Sequence, residues 1–337
     1  MIPRHVPLVE TTRGGTTECV HYGSIAVVDR AGKLISAVGD PDSLNFTRSA
    51  LKPLQALPFV QGGGLPHFGL GGEQLALLCA SHSGEPMHVR QVEQILGQAG
   101  VSHRCLQCGC HVPLFAELGG YPPPAPGSYD ERHHNCSGKH SGFLAYCVQH
   151  ALDLDTYLDP AHPLQQAVRS AVAEAVGLQE HQLAMGIDGC SAPNYAMPLA
   201  HLAQGYARLA GGERDARFGA SFAAIAEAMT AHPELVSGTG RNDLAFTQAG
   251  RGDWVAKAGA EGVQVVASRS RGEALALKIS DGNKLALHAA TVEALDQLGW
   301  LDEAQRETLR PWRYETIASV KGAPVGERRA VFRLQRP

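Results

Sequence analysis

WVAKAGAEGVQVVASRSRGEALALKIS, residues 254 to 280, decides the fold class. Apolar runs of six or seven residues are broken at Gly259 to Gly262 and at Arg271-Gly272, which is the chemistry of successive hairpins. KLALHAA follows Asp281-Gly282-Asn283 and reads as a fourth strand of the same meander, with a last helix near 291–299 before a charged tail. The other end of the chain has similar character. Alternating apolar residues around Val6 to Val9, Cys19 to Asp29 and Lys33 to Val38, punctuated by Arg13-Gly14-Gly15 and Ala31-Gly32, predict an antiparallel pair or triplet.

Between these ends the periodicity is helical. SALKPLQALPFV places Leu51, Leu54 and Leu57 on one face, with Pro53 in the first turn and Pro58 expected to kink or end the helix. EQLALLCA (73–80) and MHVRQVEQILGQ (87–98) predict two more. Further helices are expected near 139–150, 162–176, 195–210 and 216–231. YPPPAPGS (121–128) is a stiff surface crossing, too short to link domains. Strands, many helices, strands and a helix give an α+β chain: an antiparallel sheet formed from both chain ends with an inserted helical block. The expected organisation is one catalytic domain over 1–337, with a sheet lobe from about 1–48 and 245–337 and a helical lobe over about 49–244.

The 337 residues, 44% of them hydrophobic, suffice for a large core. A formal charge of -4 with interspersed signs offers no surface for a phosphate backbone, so nucleic acid is not an expected partner. MIPRHVPLVETTRGG has no apolar run after its charges, and no segment supplies about 18 uninterrupted apolar residues. A cytoplasmic protein with no membrane partner is expected. Its eight cysteines then read as reduced thiols or ligands, not as a disulfide framework.

Five segments carry chemistry. Ser49 and Lys52 stand three apart at a helix start, where an amine can reach a hydroxyl and the first-turn amides can hold an oxyanion. A capping serine followed by a surface lysine is the plainer alternative. Ser81 in CASHSGEP could relay protons, and Lys257 precedes a small residue and glycine on a late strand. This order of elements is that of penicillin-recognising serine enzymes. The middle element lacks a Ser-x-Asn form, however, and Ala258 stands where that pattern has threonine, which argues against a penicillin pocket.

HHNCSGKHSGF (133–143) is open to three readings: metal site, thiol nucleophile, or helix cap. Cys136 and Cys190, the latter in GIDGCSAPNY (186–195), each lie in a turn before a predicted helix, where amides favour a thiolate. Brought together they could bind zinc, with Lys139, His140 or water completing four ligands. Two unconnected buried thiols explain the spacing equally well. Cys105, Cys108, Cys110 and His111 hold half a zinc ribbon with no second Cys-x-x-Cys, so they are read as incidental thiols. Gly62-Gly63-Gly64 follows a helix and is no phosphate loop, Arg251-Gly252-Asp253 reads as a hairpin turn, and His133 and His134 read as solvated.

TRSALKPLQALP, CASHSGEPMHV, CGCHVP, HNCSGKHSGFL, GIDGCSAPNYAMPL and VAKAGAEG, in this order, resemble the bacterial L-asparaginase II family of the Rhizobium etli type, over nearly the whole chain. The resemblance implies a serine β-lactamase/glutaminase-like fold. It implies Ser49 as nucleophile, Lys52 as its base, and Ser81 and Lys257 completing a hydrogen-bonded catalytic group. Cys136, Lys139 and Cys190 become zinc ligands with a water; Arg48, Asn135, His140 and Asp188 become substrate or supporting residues. L-asparagine is the implied substrate and a homodimer the implied assembly. Glutamine, another small amide or a β-lactam is the alternative substrate on the same scaffold. The alternative outside catalysis is a zinc-stabilised binding module.

Overall fold

Strands from both chain ends meet in one antiparallel sheet. The computed structural model describes residues 3–119, 122 and 124–337. The first strands are β1 (Val6–Arg13), β2 (Thr16–Asp29) and β3 (Leu34–Val38). β4 (Leu44–Phe46), β5 (Ala184–Ile187) and β6 (Pro193–Pro198) form a separate small sheet in the order β4-β6-β5. β7 (Trp254–Gly259), β8 (Val263–Ser268) and β9 (Glu273–Ile279) are the expected hairpins, and β10 (Glu315–Ala318) and β11 (Pro324–Ala330) come from the tail. The main sheet runs β10-β11-β1-β2-β9-β8-β7, with β3 also on β2. The α+β expectation holds, and β7 is left at one edge.

Both faces of the sheet are covered, which explains its nearly unbroken apolar strands. Ala26, Val28, Ala274 and Ala276 face the helical block, while their neighbours Ile25, Val27, Leu275 and Leu277 face a second core. The second core is closed by the helices Lys284–Gln297 and Glu303–Arg313.

Here the expectation for KLALHAA fails: the segment is helical, not a fourth strand. Asn283 caps it by accepting from Ala286 N (2.9 Å), and the alanine-rich run that follows has high helix propensity. Alternation over a few apolar residues did not distinguish a strand from a helix whose apolar side is broad. The tail likewise holds a helix and two strands that charge alone concealed.

The expected helices of the inserted block are present as Gly72–Leu78, Pro86–Ala99, Ser137–Gln149, Pro163–Ala175, Leu199–Gly211 and Gly219–Ala231. The start expected at 195 belongs instead to β6. The helix expected through SALKPLQALPFV is broken at Ala56, just ahead of Pro58, as expected: a 3-10 turn at Arg48–Leu51 is followed by two short helices, Lys52–Gln55 and Leu57–Gln61, with Pro58 in the first turn of the second. Arg251-Gly252-Asp253 joins the helix Asn242–Ala249 to β7, so it is a helix-to-strand turn and not a hairpin. Of the proline-rich stretch, Tyr121 and Pro123 lie outside the described residues. Among the described residues no helix is long and apolar enough to cross a membrane.

Candidate active site

The turn bearing Ser49 is wedged between the edge of β7 and β6. Gly259 permits that approach: a Cβ there would lie 2.5 Å from Thr47 O and 3.3 Å from Ala50 N. Arg48 carries a positive φ of 49°, a costly conformation for a side chain of this size. Asn194 from β6 holds it there. Its Oδ1 accepts from Arg48 N and its Nδ2 donates to Arg48 O, both at 3.0 Å. The Arg48 guanidinium donates to Asp188 Oδ1 at 2.8 Å, so both residues support the backbone beside Ser49.

Lys52 is only 1% exposed. Its Nζ meets Ala80 O at 2.5 Å, Ser81 Oγ at 2.9 Å and Asn135 O at 3.1 Å. Among the described residues no hydrogen bond joins Lys52 to Ser49, and no carboxylate pairs with it. Two partners can only accept; the third, a hydroxyl, can also donate. A neutral amine, with two N–H groups and one lone pair, matches that set as well as an ammonium does.

Ser49, Ser81 and Asn135 line one cleft of about 250 Å3, together with Arg241, the segment 258–262, His288 and Trp312. Two backbone donors sit on its wall. Neither Ser49 N nor Ala260 N reaches a protein acceptor among the described residues, whereas Ala258 N, two residues before Ala260, donates to Asp243 Oδ2 at 2.9 Å. Ala260 itself lies just past the end of β7, in the turn that leads to β8.

Lys257 is fully buried, and its partner is Asp243, also buried, at 3.2 Å. No hydrogen bond connects Lys257 to Ser49, Lys52 or Ser81 among the described residues, so the expected hydrogen-bonded group of four is not formed directly. Burial lowers Lys257 to about 8; Asp243 opposes the shift, and the charges of Lys52 and Arg241 add to it. Burial by itself would raise Asp243, but Lys257, the Ala258 amide, Arg241 and Gln264 bring its carboxyl below the usual range. Sequence reading missed Asp243. The only signal was an acidic residue at a helix start in TGRNDLAF, a position where solvated caps are also common.

The cysteine cluster lies one residue from the cleft. Cys136 immediately precedes the helix Ser137–Gln149, whose packing against Leu77 O requires Gly138. Cys190 ends a turn leading into β6, not into a helix as expected. Cys136 Sγ donates to Asn135 Oδ1 at 3.6 Å, and Lys139 Nζ donates to Cys190 Sγ at 3.1 Å. Cys136, with help from Lys139 and His140, pulls Cys190 below its ordinary value, while Cys136 is raised. His140 Nδ1 bonds Tyr157 OH at 2.7 Å, while its Nε2 is buried without a hydrogen-bond partner.

Among the described residues no three His, Cys, Asp or Glu side chains gather to hold a metal, so a zinc ion here requires the lysine. Two buried thiols, with an amine in contact with one of them, supply donors of a kind that zinc accepts. Arg48, His140 and Asp188 do not line the cleft; of the four expected substrate contacts, Asn135 does.

His134, expected to be solvated, is buried. Its Nδ1 accepts from Cys136 N at 3.0 Å, its ring lies 4.4 Å from that of His111, and burial first, then His111 and Lys52, lowers it to about 3. His111 reaches Asn135 through Nε2 at 3.3 Å. Cys108 is buried and pushed up to about 12 by desolvation, then by Cys190, while Cys105 and Cys110 are partly and fully exposed.

A family model described as L-asparaginase II matches residues 9–330. No curated protein matches the chain at a significant level. Among solved structures, a β-lactamase (Mb2281c) from Mycobacterium bovis is similar at 14% identity, with 82% of this chain and 94% of that chain covered and a TM-score of 0.34. At so low a score the topology is better read from the strand order itself.

Proposed function

From the premise that this chain belongs to the L-asparaginase II family and is an asparaginase, we propose that it releases ammonia from L-asparagine through an acyl-enzyme on Ser49. The observation that carries the mechanism is that Ser49 and Ser81 share one cleft, with Lys52 bonded to Ser81 from behind.

Ser49 Oγ attacks the side-chain amide carbon. Its proton passes to Ser81 as the Ser81 proton passes to Lys52, so that a hydroxyl bridges the distance that Lys52 does not span directly. The oxyanion accepts from Ser49 N and Ala260 N, backbone donors of two residues that line the cleft. Return of the proton through Ser81 to the amide nitrogen lets ammonia leave and the Ser49 ester form. Water, deprotonated by the same relay, then opens that ester to free aspartate and restores Ser49. Lys257 holds Asp243 and the end of β7 in place.

Cys136, Cys190 and Lys139 are the residues that would hold zinc. When bound, the ion would supply positive charge beside Asn135, suited to drawing an anionic or carbonyl group of the substrate. No proton transfer above depends on it.

The direct test is ammonia release from asparagine, glutamine and nitrocefin turnover, each with and without added zinc, accompanied by elemental analysis of the purified protein. Asparagine turnover at least ten times that of the other two is expected, with about one zinc per chain. Faster glutamine or nitrocefin turnover would replace the substrate assignment, and a metal-free, fully active protein would remove zinc.

A further inference from the structure

The asparaginase chemistry uses one end of the cleft; another cleft residue has no assigned work. Arg241 lines it alongside Ser49, Ser81 and Asn135. Among the described residues no carboxylate lies at ion-pair distance from its guanidinium and no side-chain hydrogen bond engages it. Asp243, close enough to favour its charge, already spends Oδ2 on Lys257 and Ala258 N and Oδ1 on Gln264. Glu261 also lines the cleft but stands 3.9 Å from Arg48. Arg241 is half-buried, and desolvation, its dominant influence, lowers its pKa. Its charge is felt by His288 on the same cleft, adding to burial in depressing that imidazole.

A half-buried guanidinium with no ion-pair partner in contact has open hydrogen-bonding capacity, which an anion from the ligand would satisfy. We propose that Arg241 is a specificity residue that receives the α-carboxylate of the amino-acid amide while the side-chain amide lies at Ser49. The proposal rests on the asparaginase reading and names how that substrate is recognised. Lys284 is the competing cation. It is exposed at the start of its helix, where a solvated point charge discriminates less than a planar fork.

The test compares L-asparagine with its α-N-methylamide, which lacks the carboxylate and can release ammonia only from the side chain. The natural enzyme is expected to favour asparagine by ~100-fold in kcat/KM, the scale of a charged hydrogen-bonded pair. Arg241→Gln should reduce that preference to within a few fold, chiefly through KM, and Arg241→Lys should restore part of it. Equal losses on both substrates, an unchanged preference, or its collapse in Lys284→Gln instead would overturn the proposal. Should the natural enzyme release ammonia from neither, the asparaginase reading fails separately. Calorimetric titration with L-aspartate and succinate then decides the carboxylate site: binding that Arg241→Gln abolishes supports it, and no binding to the natural protein overturns it.

Discussion

Lys52 and Lys257 are both buried lysines beside one cleft, yet they keep different company. Lys52 meets two carbonyls and a hydroxyl; Lys257 meets a carboxylate and one carbonyl. The first set leaves a route for a proton to move, through Ser81, toward Ser49. The second forms a buried pair whose loss would strand a charge. Equal burial therefore need not give equal roles: in the proposed mechanism the partner's chemistry makes Lys52 a proton carrier and Lys257 a strut.

The sharpest break of this contrast comes from the relay. Ser49→Ala should lower kcat on asparagine by at least ~10³-fold with an unchanged melting transition, and near-normal turnover in a folded variant would end the acyl-enzyme mechanism. Ser81→Ala should cost roughly 10²-fold or more in kcat, as expected for losing a proton-transfer group, and a wild-type rate would show that Lys52 works without it.

For Lys257 the expected loss is first in stability. Lys257→Met should destabilise the fold by about 3–5 kcal/mol in denaturant titrations by leaving Asp243 buried and unpaired. Adding Asp243→Asn should recover a good part of that. If the double variant is no better than the single, the pair is not what the lysine supports.

pH gives a smaller effect. Lys257 is lowered to about 8 from 10.5, so between those values the unfolded chain binds the extra proton. This group's contribution to stability should therefore rise with pH through the window from 8 to 10.5. Comparing the slope of unfolding free energy with that of Lys257→Met isolates it; identical slopes would contradict the depressed value. The smallest effect is expected at Cys110, which is exposed: Cys110→Ser should change stability by less than about 0.5 kcal/mol.

Legibility followed the range of the interaction. Hairpins at 254–280 and most interior helices were readable because their period and turn residues are local. KLALHAA was misread because a short apolar run has no decisive period, and the place of β4 in the small sheet went unseen because its pairing with β6 joins residues about 150 apart. Ser49, Lys52 and Ser81 could be named from short motifs. Asp243 and the free Ala260 amide could not, since nothing adjacent in sequence reports a partner across the sheet edge.

What the sequence alone determined is the α+β order, the supply of nucleophile, amines and thiols, and a family resemblance over nearly the whole chain. What only the tertiary structure decided is which group meets which. It set Lys52 against Ser81, Lys257 against Asp243 and Lys139 against Cys190, and left Arg241 facing the cleft. The physical reason is that hydrogen bonds and ion pairs act over about 3 Å in space, and a chain brings such neighbours together only once its cores have packed.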